Sequence, residues 1–430
     1  MDAFFAAAEQ LTRPTLAARA VVVGGAGPRG VVAGASYQAR VYGVHSAMPM
    51  SQARRLLPPG GVVLPPRFRL YEQLSREVFG IVGEYAPVLE RISLDEAFAE
   101  PPELAGASPD EVGAFAVALR ARIREVTGLT ASIGAGSGKQ VAKIASGRAK
   151  PDGFVIVPHG TEREYLAGLP VRAMWGIGPV AETKLRAIGV TTLGELAALS
   201  EANAVSTLGS SVGRDLRVLA AGIDDRPVAE RGEAKQISAE NTFDVDIIDL
   251  ARLRVEIRRI AQGAHARLVR AERVARTVVV KLRHTDMSIV TRSETAAYPT
   301  DDLDQLTSIA ERLLLDPAEF GGVRLAGVGF SGLSEPSQDP LFTFATPVAA
   351  PETSTVTAPE RPAEFRGWRP GDDVVHEEFG FGWVQGAGHG RVTVRFEARG
   401  TGPGSARTFA QSDPLLVRGD PVDALGTTHG

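Results

Sequence analysis

Residues 168–200 run GLPVRAMWGIGPVAETKLRAIGVTTLGELAALS, two short helical patterns set around the turn Gly176-Ile177-Gly178-Pro179. Glycines in such a turn let main-chain amides come close to a phosphate, and the helix that follows adds the positive end of its dipole. That is the pattern of a helix-hairpin-helix, which grips the DNA backbone without reading bases. A plain helical hairpin closing a core has the same spacing. Charge further along the chain favours the DNA reading. Residues 251–292 hold eleven Arg and Lys, among them Arg252, Arg258, Arg267, Lys281, Arg283 and Arg292, against Glu256, Glu272 and Asp286. On a chain whose formal net charge is −4, this is a local phosphate-binding footprint and not a general basicity.

At 430 residues, and roughly 100–200 residues per domain, the chain has length for three or four domains. Its 44% hydrophobic and 23% charged residues suit a soluble globular protein and exclude a disordered, collagenous or disulfide-stapled one. The absence of cysteine removes disulfides, Cys-ligated zinc, iron–sulfur clusters and thiol catalysis, and a reducing cytoplasm is the expected compartment. No signal peptide opens the chain and no run of about 20 apolar residues follows, so neither export nor a membrane is expected.

Residues 343–364, with four prolines, no glycine and no hydrophobic period, form a linker expected to span roughly 25 Å. Before it the pattern is mixed α/β: strand-like runs at 62–64 and 154–157 alternate with helical patterns such as 111–126. The polar stretch 223–237 looks like a tether. Beyond it, 238–333 reads as strand, helix (251–271), two strands (276–283 and 287–294), helix (302–315) and strand (323–330), a compact α+β unit. After the linker, residues 371–418 carry short strands broken by Gly-rich turns, as expected of a small β-barrel able to reach a protein partner. His376 and His389 lack the acidic or Cys company of a metal site and are expected at its surface.

Three local patterns can carry chemistry. Asp95-Glu96 sits inside an apolar run, where two adjacent carboxylates are costly to bury unless a cation compensates them. Divalent metals do so in phosphoryl transfer, although taken by itself such a pair is more often a solvated turn. Tyr37 and Arg40 lie three apart on one helical face, a phenol and guanidinium suited to a polyphosphate or simply stacked at the surface. Residues 132–153 supply a Gly/Ser loop opening a helix with Lys139, Lys143, Arg148 and Lys150, without the spacing of a Walker loop.

In order along the chain stand MDAFFAAAEQ (1–10), RGVVAGASYQARVYGVHSAMP (29–49), LERISLDEAF (89–98), KIASGRAKPDG (143–153), WGIGP (175–179) and TRSETAAYPT (291–300). The succession, reaching about residue 333, resembles the Y-family translesion DNA polymerases, and within them the bacterial branch. The resemblance implies a multidomain α/β and α+β right-hand polymerase. Its palm and fingers would occupy 1–165, a thumb with the helix-hairpin-helix 166–232 and a little finger 233–335. A clamp-binding peptide and Pro-rich linker would fill 336–364, a small SH3- or Tudor-like β-barrel 365–420 and a tail 421–430.

Carried onto this chain, the resemblance makes Asp95 and Glu96 catalytic ligands of two magnesium ions, with the main-chain carbonyl of Met1 as a further ligand. Tyr37, Arg40 and Lys150 would contact the incoming dNTP, helped by main-chain amides around Phe4 and Phe5. Phe5 would be the steric gate that leaves no room for a 2′-hydroxyl. Gly34 stands where many relatives carry Ser or Thr, so one hydrogen bond to the nucleotide is expected to be missing. Gly176, Gly178, Lys184 and Arg292 would hold primer-template DNA. Gln338, Leu341 and Phe342 match the Gln-x-x-Leu-Phe peptides that dock on the bacterial sliding clamp; a monomer is expected otherwise.

One departure counts against a simple transfer. The family's first motif has an Asp, a ligand of both metals, immediately before the position of Met1. Asp2 is no substitute, because in an extended strand it lies about 6.6–6.8 Å further on. Two expectations follow: the sequence begins at an internal methionine of a working DNA-directed DNA polymerase, or the protein is a silent DNA- and clamp-binding adaptor. The presence of Asp95, Glu96, Phe5, Tyr37, Arg40 and Lys150 favours the first.

Overall fold

The computed structural model describes residues 1–25, 27–230, 232–336 and 367–426, so Gln338, Leu341 and Phe342 and the Pro-rich linker lie outside the described residues. Two compact units share the chain. One holds the described residues up to 230, apart from 27–29, together with 367–426; the other holds 27–29 and 232–336.

The first unit is built around the strand Val21–Gly24, antiparallel to Val32–Ala35 on one side and parallel to Val62–Leu64 on the other. Val21, Val22 and Val23 are all fully buried, which is why this strand is a continuous apolar run and not an alternating one. Helix Phe4–Thr12 lies against this sheet and buries Phe4, Ala6 and Ala8. Helix Phe68–Tyr85 adds Leu70, Leu74, Val78 and Ile81 to the same core at helical spacing. Helix Pro109–Thr127 starts at a capping box between Ser108 and Glu111, has proline at its first position and stops at left-handed Gly128. Two small strand pairs complete the region: Leu89–Arg91 antiparallel with Ala97–Ala99, and Ile133–Ala135 parallel with Phe154–Ile156. The strands expected near 62–64 and 154–157 and the helix expected at 111–126 are all present.

In the stretch 168–200 one of the two short helices expected around the turn is shorter still. The first arm is a 3-10 turn, Val171–Ala173, followed by the turn with Gly176 at φ +105, helix Pro179–Ala187 and helix Leu193–Ala198. Only five residues separate Pro170 from Gly176. Arg172 braces the turn, donating to the Ile177 carbonyl at 2.9 Å and pairing with Glu182 at 3.3 Å. Met174, Ile177, Leu185, Val190, Leu193 and Leu196 are buried together beneath it.

The second unit is a four-stranded antiparallel sheet in the order Ile289–Thr300, Val274–His284, Val323–Ser334, Gln236–Ile247. Helices Leu250–Arg270 and Leu303–Arg312 pack on one face, where Val278, Val280, Leu282, Val328 and Phe330 form the core. Element order follows the sequence pattern, with an added short helix Pro317–Phe320.

The C-terminal module is a five-stranded antiparallel sheet in the order Ala406–Ala410, Arg391–Arg395, Gly380–Gly388, Asp373–His376, Leu416–Arg418. Its two outer strands do not pair among the described residues, so the closed barrel expected from the sequence is replaced by an open sheet. His376 is not at the surface: it is buried in a ring cluster, 4.7 Å from Phe379 and 5.0 Å from Phe409. Nor does the module stand away from the rest of its unit, as a free tethered barrel would. Trp383 lies in the same core as Phe4, Leu16 and Tyr71, and Arg69 pairs with Asp420 at 2.7 Å. Glu397, 1% exposed, accepts from the Thr15 hydroxyl at 2.6 Å and the Trp383 indole at 2.9 Å.

Among the described residues no helix is long and apolar enough to cross a membrane. Because Glu397 satisfies buried donors from both sides of the seam, Glu397→Ala is expected to cost about 1–3 kcal/mol. In a chain of this size that lowers the calorimetric melting temperature by a few degrees, and an unshifted melt contradicts the seam.

Candidate active site

Asp95 and Glu96 occupy the turn between strands Leu89–Arg91 and Ala97–Ala99, which aims an adjacent carboxylate pair out of a short hairpin. Ser93 holds the turn: its hydroxyl donates to Asp95 Oδ1 at 2.8 Å, and the amides of Ile92 and Ser93 donate to the Glu96 carbonyl. Met1, Asp95, Glu96, Lys143, Lys150 and Trp175 line one cleft of about 1490 Å³. The Met1 amino group donates to the Asp95 carbonyl oxygen at 2.6 Å.

Lys143 Nζ stands 2.9 Å from Glu96 Oε2 and 5.1 Å from the centre of the Trp175 ring. Partial burial pushes the Glu96 carboxyl up, but Lys143, with Lys150 and the chain's amino group behind it, outweighs this and holds it below the ordinary range. Glu96 is therefore partly buried and paired with a cation, and the turn is not wholly solvated. Carboxylate oxygens are the hard donors that magnesium takes, commonly one or two of them completed by substrate phosphates. On donor chemistry the pair fits that ion. Among the described residues no cluster of three His, Cys, Asp or Glu is placed to hold a metal. Asp2 is committed elsewhere, accepting from the Ser132 hydroxyl at 2.7 Å and the Asp152 amide at 2.8 Å.

Phe4, Phe5, Tyr37 and Arg40 are not among the residues that line this cleft. Phe4 and Phe5 open helix Phe4–Thr12, whose cap Ala3 is left-handed at φ 45 and supplies no side-chain cap, leaving the first helical amides to other acceptors. The Phe5 ring is half-buried and stacks on Tyr71 at 4.6 Å and 23°, with Phe68 edge-on at 6.2 Å. A Cβ on Gly34 would sit 3.3 Å from the Cβ of Phe5, so the ring's root rests on the bare glycine. Tyr37 and Arg40 share the short helix Tyr37–Arg40, with the guanidinium 4.8 Å over the phenol ring. The Tyr37 hydroxyl is buried without a hydrogen-bond partner, and burial, then Asp2, pushes its pKa up.

Of the residues singled out for DNA, Gly176 and Gly178 flank the braced turn and Lys184 is exposed on the helix after it. Arg292 pairs with Val280, whose side chain faces the helices, and donates to the Leu313 carbonyl at 3.2 Å. Several of its basic neighbours are paired within the unit: Arg258 with Glu311, Arg273 with Glu233, and Lys281 with Glu240. The pairing of Lys143 with Glu96 and the place of Trp175 in the cleft are what sequence reasoning missed. The i, i+4 periodicity that puts Lys139 and Lys143 on one helix face was the available signal.

The impB/mucB/samB family matches residues 1–147, its C-terminal domain matches 234–341, and the IMS family HHH motif matches 159–190. The DNA polymerase IV of Corynebacterium diphtheriae is 50% identical, over 99% of this chain and 97% of its own length. That of Streptomyces coelicolor is 47% identical, over 100% of this chain and 91% of its own. A solved Y-family DNA polymerase chimera superposes with a TM-score of 0.70 at 22% identity, covering 78% of this chain and 98% of its own. The insertion ternary complex of Dbh DNA polymerase gives 0.55 at the same identity and coverage. At that identity the likeness speaks for the fold alone.

Gly176 at φ +105 is a position that a side chain strains. Gly176→Ala is expected to cost about 1 kcal/mol locally and weaken duplex DNA binding several-fold, equally for all sequences, as measured by fluorescence anisotropy. A sequence-dependent loss, or none, contradicts the turn as a backbone grip.

Proposed function

We propose, for a chain that belongs to the impB/mucB/samB family of Y-family DNA polymerases, that the cleft around Asp95 and Glu96 carries out template-directed nucleotide addition in translesion synthesis. DNA-directed DNA polymerisation of the error-prone, damage-bypassing kind is the activity of this family member, and primer-template DNA and dNTPs are its substrates. The observation that carries the assignment of the site is the adjacent carboxylate pair facing Lys143 and Lys150 in one cleft.

In the reaction the primer 3′-oxygen bonds to the α-phosphorus of the dNTP, the bond to the β-phosphate oxygen breaks, and pyrophosphate leaves as the hydroxyl loses its proton. Magnesium held by Asp95 and Glu96 would supply Lewis-acid stabilisation of the attacking and leaving oxygens. Two such ions, and the Met1 carbonyl as a further ligand, belong to this proposal. Lys143 keeps Glu96 ionised and so ready to accept a cation. Lys150, Tyr37 and Arg40, with the uncapped amides at Phe4 and Phe5, offer the triphosphate two cations, a phenol and a helix N-terminus. The unpartnered Tyr37 hydroxyl gains an acceptor when a phosphate arrives. Phe5, seated on Gly34, puts an aromatic face where a deoxyribose is to be told from a ribose. Gly176, Gly178 and Lys184 hold the phosphate backbone, with Arg292 on the second unit. Gln338, Leu341 and Phe342 tie the enzyme, a monomer in this proposal, to a sliding clamp.

The direct test is Mg²⁺-dependent primer extension by the 430-residue chain and by a version carrying the family's upstream strand and its Asp, each with an Asp95→Ala control. Extension that falls at least about a hundredfold in Asp95→Ala supports the site. If both versions bind primer-template and neither extends it, the protein is an adaptor. Leu341→Ala with Phe342→Ala is expected to abolish stimulation by the clamp while distributive synthesis continues. An unchanged clamp affinity in surface plasmon resonance refutes that peptide's role.

A further inference from the structure

Behind Phe5 the C-terminal module reaches into the core of the first unit. Arg13 and Arg67 both contact Asp373 of the module, at 3.2 and 2.8 Å, and both contact Glu9, each at 2.9 Å. All four side chains are almost wholly out of solvent, at 7% exposure or less. Arg13 also donates to the Gly371 carbonyl at 2.9 Å, and its guanidinium lies 4.7 Å over the module's Trp383 ring. Glu9 in turn accepts from the Tyr71 hydroxyl at 2.6 Å, and the Tyr71 ring is the surface on which Phe5 stacks.

The geometry is a relay of fixed contacts. Phe5 and Glu9 are four residues apart on one helix, so they share a face. Arg67 immediately precedes the helix that carries Phe68 and Tyr71, the two rings around Phe5. The quartet thus fastens both helices to each other and to the module, directly beneath the gate. Burial, reinforced by the Glu9 charge, pushes the Tyr71 phenol far up, so it stays a protonated donor. Burial pushes Glu9 up as well, but Arg67 and Arg13 hold it below its usual value, so it stays a charged acceptor.

We propose that Asp373 is a positioning residue for sugar selection: by completing the Glu9, Arg13, Arg67 quartet it fixes Glu9 and Tyr71, and through them the ring of Phe5. The inference rests on the reading of Phe5 as the gate for the sugar. It makes the C-terminal module a working part of the catalytic unit. Gly371 permits the close seating, because at φ +92 a Cβ there would lie 2.6 Å from Pro65 Cδ.

The test uses the full chain on a dideoxy-terminated primer-template, where no bond forms, and reads the ratio of rNTP to dNTP dissociation constants. Phe5→Ala must collapse this ratio; if it does not, the gate reading fails and takes the inference with it. With that control in place, Asp373→Asn is expected to lower the ratio at least threefold while changing dNTP affinity less. Tyr71→Phe, which keeps the ring and removes the donor, is expected to give a similar loss. Because Asp373 and Tyr71 act through one network, their double variant should lose less than the product of the two single effects. Gly371→Ala unseats the module without touching a charge and should lower the ratio too, so the test survives if Asp373→Asn does not fold. A lower melting temperature with an unchanged ratio in Asp373→Asn and Gly371→Ala overturns the proposal and leaves the module a structural staple.

Discussion

Two buried arginines, Arg13 and Arg67, set between two buried carboxylates, Glu9 and Asp373, are the constraint on which the first unit depends. Charges taken out of water are tolerated only when each is paired and hydrogen-bonded, and removing one partner strands the others at a cost of roughly 3–5 kcal/mol. The four groups sum to zero only when residues from both ends of the chain are present. That condition ties helix Phe4–Thr12, helix Phe68–Tyr85 and strand Asp373–His376 into one arrangement that hydrophobic contact alone would not specify. Trp383 and Glu397 then close the seam around it.

The cleft chemistry grows out of that frame by short-range means. A three-residue strand, a turn and a three-residue strand are enough to present Asp95 and Glu96, because Ser93 fixes the turn from inside. Opposite them, helix Lys139–Ala149 brings Lys143 onto Glu96, which holds that carboxyl below its ordinary range despite partial burial. A divalent cation and a polyphosphate would replace this lysine–carboxylate pairing by one of the same sign pattern and greater charge.

Much of this was legible in the chain itself. The second unit's strands and helices follow directly from alternation and helical spacing, since its sheet has one apolar face and one polar face. The acidic pair, Tyr37 with Arg40 and the Gly176 turn were visible as local patterns, and the structure gives each a defined setting. What stayed hidden depends on contacts some 300 residues apart. Asp373 is one acidic residue in a strand-like DVVH, and nothing in its neighbourhood points to Arg13 or Arg67. His376 looked like a surface histidine because burial in a ring cluster leaves no periodic mark in so short a strand. The open sheet was taken for a barrel because strand number is written in the sequence and edge pairing is not.

The claim that the C-terminal module and the N-terminal helices form one cooperative body is tested most directly by native-state hydrogen exchange. The account predicts that amides of Asp373–His376, Phe4–Thr12 and Phe68–Tyr85 exchange with a common opening free energy and the same denaturant dependence. Exchange of Asp373–His376 through a separate, lower-energy opening that leaves the two helices protected would contradict it.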